Sequence, residues 1–153
     1  MALTAVILDS SPLGLVTQRT GKSPEGDACR IWMENLLTQG VKVYVPEVCD
    51  YEVRRELIRA KKPGGIVRLN RLKQMARYLP LTTDVMLHAS ELWAQARNAG
   101  VVTADVHALD GDVIAAAQAL SLGLSTSEYV IATSNIKHIS RFASADLWTN
   151  INP

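Results

Sequence analysis

The chain has 153 residues, of which 48% are hydrophobic and 20% charged, and its formal net charge is +1 at pH 7. This balance excludes a largely disordered chain and a disulfide-rich scaffold, and the length suits one folded domain spanning residues 1–153. The opening "MALTAVILDSS" has no basic segment and its apolar run stops at Asp9, so we expect no signal peptide, no membrane-spanning helix and a cytoplasmic location.

The first half of the chain alternates predicted strands and helices. The β-branched run "TAVILD" predicts a strand, and a helix follows over residues 25–39. "VKVYVP" predicts a second strand at residues 41–46, and Pro46 opens a helix that must break at Pro63, since proline cannot continue it. A third helix is predicted to run to about Tyr78.

The second half continues this alternation. "LPL" is a weak third strand, and a helix with Asp84 as its N-cap is predicted to stop at Gly100. The next helix is predicted to begin at Gly111 with Asp110 as its N-cap. "EYVIATSN" is the last clear strand, and the tail over residues 147–151 is a candidate edge strand. Strands that alternate with helices predict a parallel sheet covered on both faces.

Polar side chains follow the ends of these predicted strands, where ligands bind in parallel sheets. Asp9 ends the first strand, and Thr133 and Asn135 end the last clear strand, so we expect them at the same rim. Glu52 lies one or two turns into the helix after the second strand, and Asp112 lies in the first turn of the helix after Asp110. The sequence therefore predicts that three carboxylates converge.

The stretch "LDGDVIAAAQAL" carries two aspartates for which we predict different roles. Positions i and i+2 of a helix point about 200° apart, so the two cannot serve one face. Asp110 is predicted to cap the helix. Asp112 is expected above the small side chains Ala115, Ala116 and Ala119, which let the helix approach the sheet closely. Taken alone, Asp112 is a first-turn acid that stabilises the helix dipole by about 0.3–1 kcal/mol.

Together these segments resemble the PIN-domain family. "VILDSS", "YEVRREL", "LDGDVIAAAQAL" and "VIATSNIKHI" occur in order along nearly the whole chain, and the length is similar to that of bacterial VapC-type toxins. The resemblance implies a PIN-like three-layer α/β fold, with a central parallel sheet of about five strands flanked by helices on both faces. It also implies a metal-dependent endoribonuclease that cleaves RNA, a toxin restrained by an antitoxin protein and working as a homodimer.

Magnesium or manganese chemistry suits the converging residues. Mg²⁺ and Mn²⁺ prefer carboxylate oxygens, which Asp9, Glu52 and Asp112 would supply as metal ligands. Such an ion would polarise a phosphodiester and lower the pKa of a bound water that attacks phosphorus in line. Thr133 and Asn135 would complete the catalytic site by holding a carboxylate or a water.

One departure from the family opens a second interpretation. Many members place a fourth acid just after the last core strand, where this sequence reads "TSNIKH". Asn135 stands in for it, and Asp110 is a possible additional acid. Because an amide coordinates divalent ions less strongly than a carboxylate, the alternative is a catalytically weak or inactive PIN-like nucleic-acid-binding module. A phosphoacceptor domain built around Asp9 is disfavoured, since Ser11 stands where a second acid is expected.

Basic residues concentrate between positions 54 and 77, which hold nine of the sixteen lysines and arginines but only one acid. Such a surface attracts phosphate chains, although a charge run can also be a solvated helical face. We select Arg55, Arg68, Arg71 and Lys73 as candidate RNA-binding residues. Arg55 follows Glu52 by one helical turn, so it can bind a phosphate or pair with a carboxylate.

The histidines and cysteines offer no further site. His88, His107 and His138 have no metal-ligand spacing, so we assign them no catalytic role. Cys29 and Cys49 belong to no CxxC pair, which favours reduced core thiols over a disulfide or a zinc site.

Overall fold

The computed structural model describes residues 3–100 and 106–152, which form an α/β arrangement. The described strands are β1 (Ala5–Leu8), β2 (Lys42–Pro46), β3 (Arg77–Leu79), β4 (Tyr129–Thr133) and β5 (Ala145–Leu147). The described helices are α1 (Ser10–Val16), α2 (Pro24–Thr38), α3 (Glu47–Arg59), α4 (Pro63–Met75), α5 (Thr83–Asn98), α6 (Val106–Leu120) and α7 (Ile136–Ile139). A 3₁₀ helix at Trp148–Asn150 follows β5.

The five strands pair in parallel in the order β3-β2-β1-β4-β5, which places β1 at the centre of the sheet. Val6 of β1 lies opposite Val43 of β2 on one side and Val130 of β4 on the other. All four residues of β1 are buried, as expected for a strand covered on both faces. The predicted parallel sheet is confirmed.

Helices cover the two faces of the sheet with separate hydrophobic clusters. Val6 and Leu8 of β1 contribute to a cluster with residues of α1, α2, α3 and α4. Ala5 and Ile7 alternate to the other face, where they join residues of α5 and α6. The layers are thus helix, sheet and helix, which confirms the predicted PIN-like three-layer fold.

Several element boundaries differ from the predicted ones. The third strand lies at Arg77–Leu79 and ends before Pro80, because proline has no N–H to donate to a strand ladder. Helix α5 is capped by Thr82, whose hydroxyl accepts the Val85 N–H at 3.1 Å, while Asp84 lies in the first turn. The short helices α1 and α7 were not predicted. No helix within the described residues is both long and apolar enough to cross a lipid bilayer.

A buried glutamine joins the helix that carries Glu52 to the helix that carries Asp112. Gln118 of α6 is fully buried, and its side-chain oxygen accepts the Val48 N–H of α3 at 3.2 Å. Its side-chain nitrogen donates to the Leu79 carbonyl at the end of β3 at 2.6 Å. Because Pro46 precedes α3 and offers no capping side chain, Gln118 supplies an acceptor that the first turn of α3 otherwise lacks.

We predict that Gln118→Leu destabilises the protein by roughly 2–4 kcal/mol, since it leaves a buried N–H and a buried carbonyl unpaired. Urea unfolding followed by circular dichroism measures the change. Gln74→Leu on the exposed face of α4 is the matched control. Equal unfolding midpoints for the two variants would contradict the bridging role.

Candidate functional site

Asp9 stands immediately after β1 and is held by two neighbouring elements. The fully buried Thr133, at the end of β4, donates its hydroxyl to Asp9 Oδ2 at 2.7 Å. The same hydroxyl accepts the Asn135 N–H at 2.9 Å, which fixes the direction of the donated proton. Cys49 Sγ of α3 lies 3.7 Å from Asp9 Oδ1. The Asp9 carboxylate is therefore fixed at the carboxyl ends of the two central strands.

Glu52 reaches the same rim from α3. Its side chain is half-buried, and Ser10, the first residue of α1, donates its hydroxyl to Glu52 Oε1 at 3.0 Å. Burial raises the pKa of Glu52, the Ser10 hydrogen bond opposes that rise, and the negative charge of Asp9 adds to it. The Glu52 carboxyl is thus close enough to Asp9 to feel its charge.

Asp112 completes the group from α6, and its side chain is only 15% exposed. Burial foremost, and then the negative charge of Asp9, raise the pKa of Asp112 to about 6, with Glu52 adding to the effect and His138 opposing it. Asp112 Oδ2 is buried and has no hydrogen-bond partner among the described residues. His138 Nδ1 lies 3.4 Å from this oxygen, outside hydrogen-bond geometry. The buried oxygen therefore has the His138 ring beside it but no well-aligned hydrogen-bond donor.

The carboxylate cluster consists of Asp9, Glu52 and Asp112, and its chemistry suits a divalent metal ion. Within the described residues, no three acidic, histidine or cysteine side chains form a preformed metal cage. Mg²⁺ does not require one, because it is usually held by one or two carboxylates and keeps several waters. The unbonded Asp112 oxygen and the mutual repulsion of the acids are both features that a divalent cation relieves, so the residues fit such an ion.

Asp110 does not occupy the predicted position. Helix α6 already includes Val106, so Asp110 lies inside the helix, and the predicted N-cap was wrong. Nothing in "VHALDG" breaks a helix except the glycine, and Gly111 is not among the glycines with positive φ. Asp110 is exposed, and the charges that shift the Asp112 pKa do not include it.

Gly111 of α6 lies close to the Glu52 side chain. A Cβ atom built on Gly111 would lie 3.4 Å from Glu52 Oε2. This is an ordinary van der Waals distance, so the glycine lies beside the Glu52 carboxylate and a methyl group would also fit there.

Asn135 and His138 both follow β4, but their surroundings differ. Asn135 precedes α7 and is exposed, and among the described residues its side chain has no hydrogen-bond partner. His138 of α7 faces Asp112, although its spacing in the sequence suggested no role. The signal that could have found it is its position three residues after Asn135, at the rim already predicted from the strand ends.

The basic stretch divides between two surfaces. Arg55 and Arg68 line a groove of about 850 Å³ that opens from the carboxylate cluster. Arg71 is exposed on α4 and does not line this groove. Lys73 lies 3.7 Å from Asp50, with its charge partly neutralised by that carboxylate. Only part of the predicted basic surface therefore adjoins the cluster.

Three solved structures share this fold. This chain is similar to chains in three solved structures of VapBC proteins. They are VapBC2 from Rickettsia felis bound to promoter DNA (TM-score 0.72, 15% identity), VapBC-1 from nontypeable Haemophilus influenzae (TM-score 0.68, 16% identity) and DNA-bound VapBC from Salmonella typhimurium (TM-score 0.67, 15% identity). The matches cover 95%, 96% and 95% of this chain and 99%, 100% and 99% of the respective neighbours. No protein-family model and no curated protein matches the sequence. The predicted resemblance in fold to VapC-type PIN domains is confirmed.

We predict that Asp112→Asn stabilises the metal-free protein at pH 8 but not at pH 4. The folded-state pKa of about 6 lies above the ordinary aspartate pKa of 3.8, so ionising Asp112 costs folding free energy as the pH rises through this range. The amide removes that cost, which amounts to roughly 1–3 kcal/mol at pH 8.

Thermal unfolding in EDTA at both pH values measures this difference, with the exposed Asp110→Asn as the matched control. A stabilisation of equal size at pH 4 and pH 8, or a loss of stability at pH 8, would show that Asp112 is not held in a costly ionised form.

Proposed function

We propose that the chain is a divalent-metal-dependent endoribonuclease that hydrolyses RNA phosphodiester bonds. The observation that carries the proposal is the convergence of Asp9, Glu52 and Asp112 beside one groove, where a buried Asp112 oxygen has no well-aligned hydrogen-bond donor. The likeness in fold to chains of VapBC structures supports a nuclease over other uses of such a cluster.

Asp9 and Asp112 would hold Mg²⁺ or Mn²⁺, with Glu52 as a third or water-mediated ligand. When bound, such an ion would polarise the phosphodiester and lower the pKa of a bound water. Thr133 keeps Asp9 oriented through its 2.7 Å hydrogen bond. Because burial raises the Glu52 pKa, its free Oε2 is suited to accept a proton from the attacking water.

Arg55 is the basic side chain best placed to meet the substrate. It lines the groove that contains Glu52, its guanidinium lies 5.0 Å from the centroid of the Tyr51 ring, and no carboxylate of the described residues is within ion-pair distance. A guanidinium free of a carboxylate favours phosphate binding over the alternative of an internal ion pair.

The chain is further proposed to be the toxin of a toxin–antitoxin pair, acting in the cytoplasm. Its neighbours in fold are chains of VapBC structures, and this supports an antitoxin protein as a partner. A homodimer is supported by exposed apolar side chains between the end of α4 and the start of α5, beside edge strand β3. These side chains are Met75, Tyr78, Leu81, Met86 and Leu87.

A second candidate function is nucleic-acid binding with little or no turnover. Asn135 favours this second function. Its exposed amide lies where many members of the family that this sequence resembles have a fourth acid. On this account the groove and its cations would bind RNA without cleaving it.

We predict that the protein cleaves a mixed single-stranded RNA pool with Mg²⁺ or Mn²⁺ and not with EDTA. Asp9→Asn and Asp112→Asn should each lose more activity than the roughly 10–100-fold typical of outer-shell changes at metal sites. Asp110→Asn, two residues from Asp112 on the same helix, should retain activity. Denaturing gel electrophoresis of end-labelled RNA measures cleavage.

Cleavage that persists in EDTA, or in the Asp112 variant, would contradict the proposed metal mechanism. Absence of cleavage with either ion, together with a native-gel shift of the RNA, would instead support the binding module.

A further inference from the structure

The groove that opens from the carboxylate cluster has cations at its other end. Its walls come from α1 and the segment after it, from α3, and from the first turn of α4. Ser10 and Glu52 line the end near the cluster. With a divalent cation held by the carboxylates, both ends of the groove would attract phosphate.

Four basic side chains line this groove apart from Arg55, and we call them the cation cluster. They are Arg19, Lys22, Lys62 and Arg68. In the described part of the chain, no carboxylate lies within ion-pair distance of any of the four. Glu56 also lines the groove, but its carboxylate is bonded to Arg59. The positive charge of the cation cluster is therefore not neutralised by direct ion pairing within the described residues.

The cations of this cluster repel one another. The pKa of Lys22 is lowered chiefly by the neighbouring Lys62 ammonium group, with burial and the positive charges of Arg19 and Arg68 adding to the effect. Like charges in such proximity raise the free energy of the unliganded protein. An anion between them would turn this repulsion into attraction.

Arg68 is held in place within the cluster. Its Nε donates to the Thr17 carbonyl at 2.6 Å, which anchors the guanidinium to the end of α1. A Cβ atom built on Gly64 would lie 3.3 Å from Arg68 Nη1, so the glycine makes room for the guanidinium against the first turn of α4. Lys62 precedes α4 without a side-chain cap, and the positive end of the helix dipole therefore adds to the field.

We propose that the cation cluster binds a backbone phosphate of a single RNA strand whose scissile phosphate lies at the carboxylate cluster. The inference rests on the proposed function and adds a second binding subsite to it.

Binding of a fluorescein-labelled 15-nucleotide single-stranded RNA, measured by anisotropy in EDTA over a range of salt concentrations, tests the proposal. Lys22→Gln/Lys62→Gln should bind more weakly, and the slope of log K against log salt should become shallower by about 0.7, because one phosphate is no longer neutralised. The full-length wild-type chain is the reference, and melting curves confirm that each variant is folded.

Lys42→Gln/Arg97→Gln is the matched control, because it removes the same charge outside the groove. Lys42 begins β2 at the opposite end of the strand from the carboxylate cluster, and Arg97 lies over the Trp93 ring of α5. This variant should keep the wild-type salt slope. Equal loss in the two double variants would overturn the proposal, because net charge alone would then explain the binding.

A third arm replaces the RNA with a labelled 15-residue glutamate peptide. If the lysine variant loses affinity for the peptide while its RNA slope is unchanged, the groove binds an acidic protein segment and the proposal is overturned. Since no arm depends on cleavage, failure of the subsite remains distinguishable from failure of the nuclease activity.

Discussion

Electrostatic repulsion among Asp9, Glu52 and Asp112 is the constraint around which this rim of the fold is organised. The pKa values of Glu52 and Asp112 are raised by burial and by the negative charge of Asp9, and that of Asp112 reaches about 6. Neighbouring groups hold the acids individually: Thr133 donates to Asp9, and Ser10 donates to Glu52. Asp112 keeps a buried oxygen without a hydrogen-bond partner among the described residues. His138 Nδ1 lies 3.4 Å from that oxygen without good hydrogen-bond alignment, so the oxygen remains suited to coordinate a cation.

The parallel sheet makes this arrangement possible because all its strands end at the same rim. Asp9 follows β1 and Thr133 is the last residue of β4, so the hydrogen bond between their side chains joins the ends of two adjacent strands. Gln118 ties α6 to the start of α3, so the helices that carry the other two acids are joined by a buried polar side chain. Opposite charge then lies along the groove, with the acids at one end and the cation cluster at the other.

Periodicity and strand ends were enough to predict the sheet and to bring the three acids together. They failed at the "LDGD" glycine, which looked like a helix start but lies inside a longer helix, beside Glu52. The basic stretch looked continuous, yet its residues face different surfaces because α3 and α4 turn against each other at Pro63. Arg19 and Lys22 also line the groove, although they lie outside the basic stretch of residues 54–77. His138 meets Asp112 only through packing of the short α7.

Calorimetric titration of the protein with Mn²⁺, in buffers of different ionisation enthalpy, tests whether the carboxylate cluster is a divalent-cation site. At pH 6 we expect saturable binding with release of about half a proton, because the Asp112 pKa is about 6, and at pH 8 we expect almost no proton release. Asp112→Asn should abolish the proton release, whereas Asp110→Asn should not. Absence of saturable binding, or the same proton release at both pH values, would contradict the account.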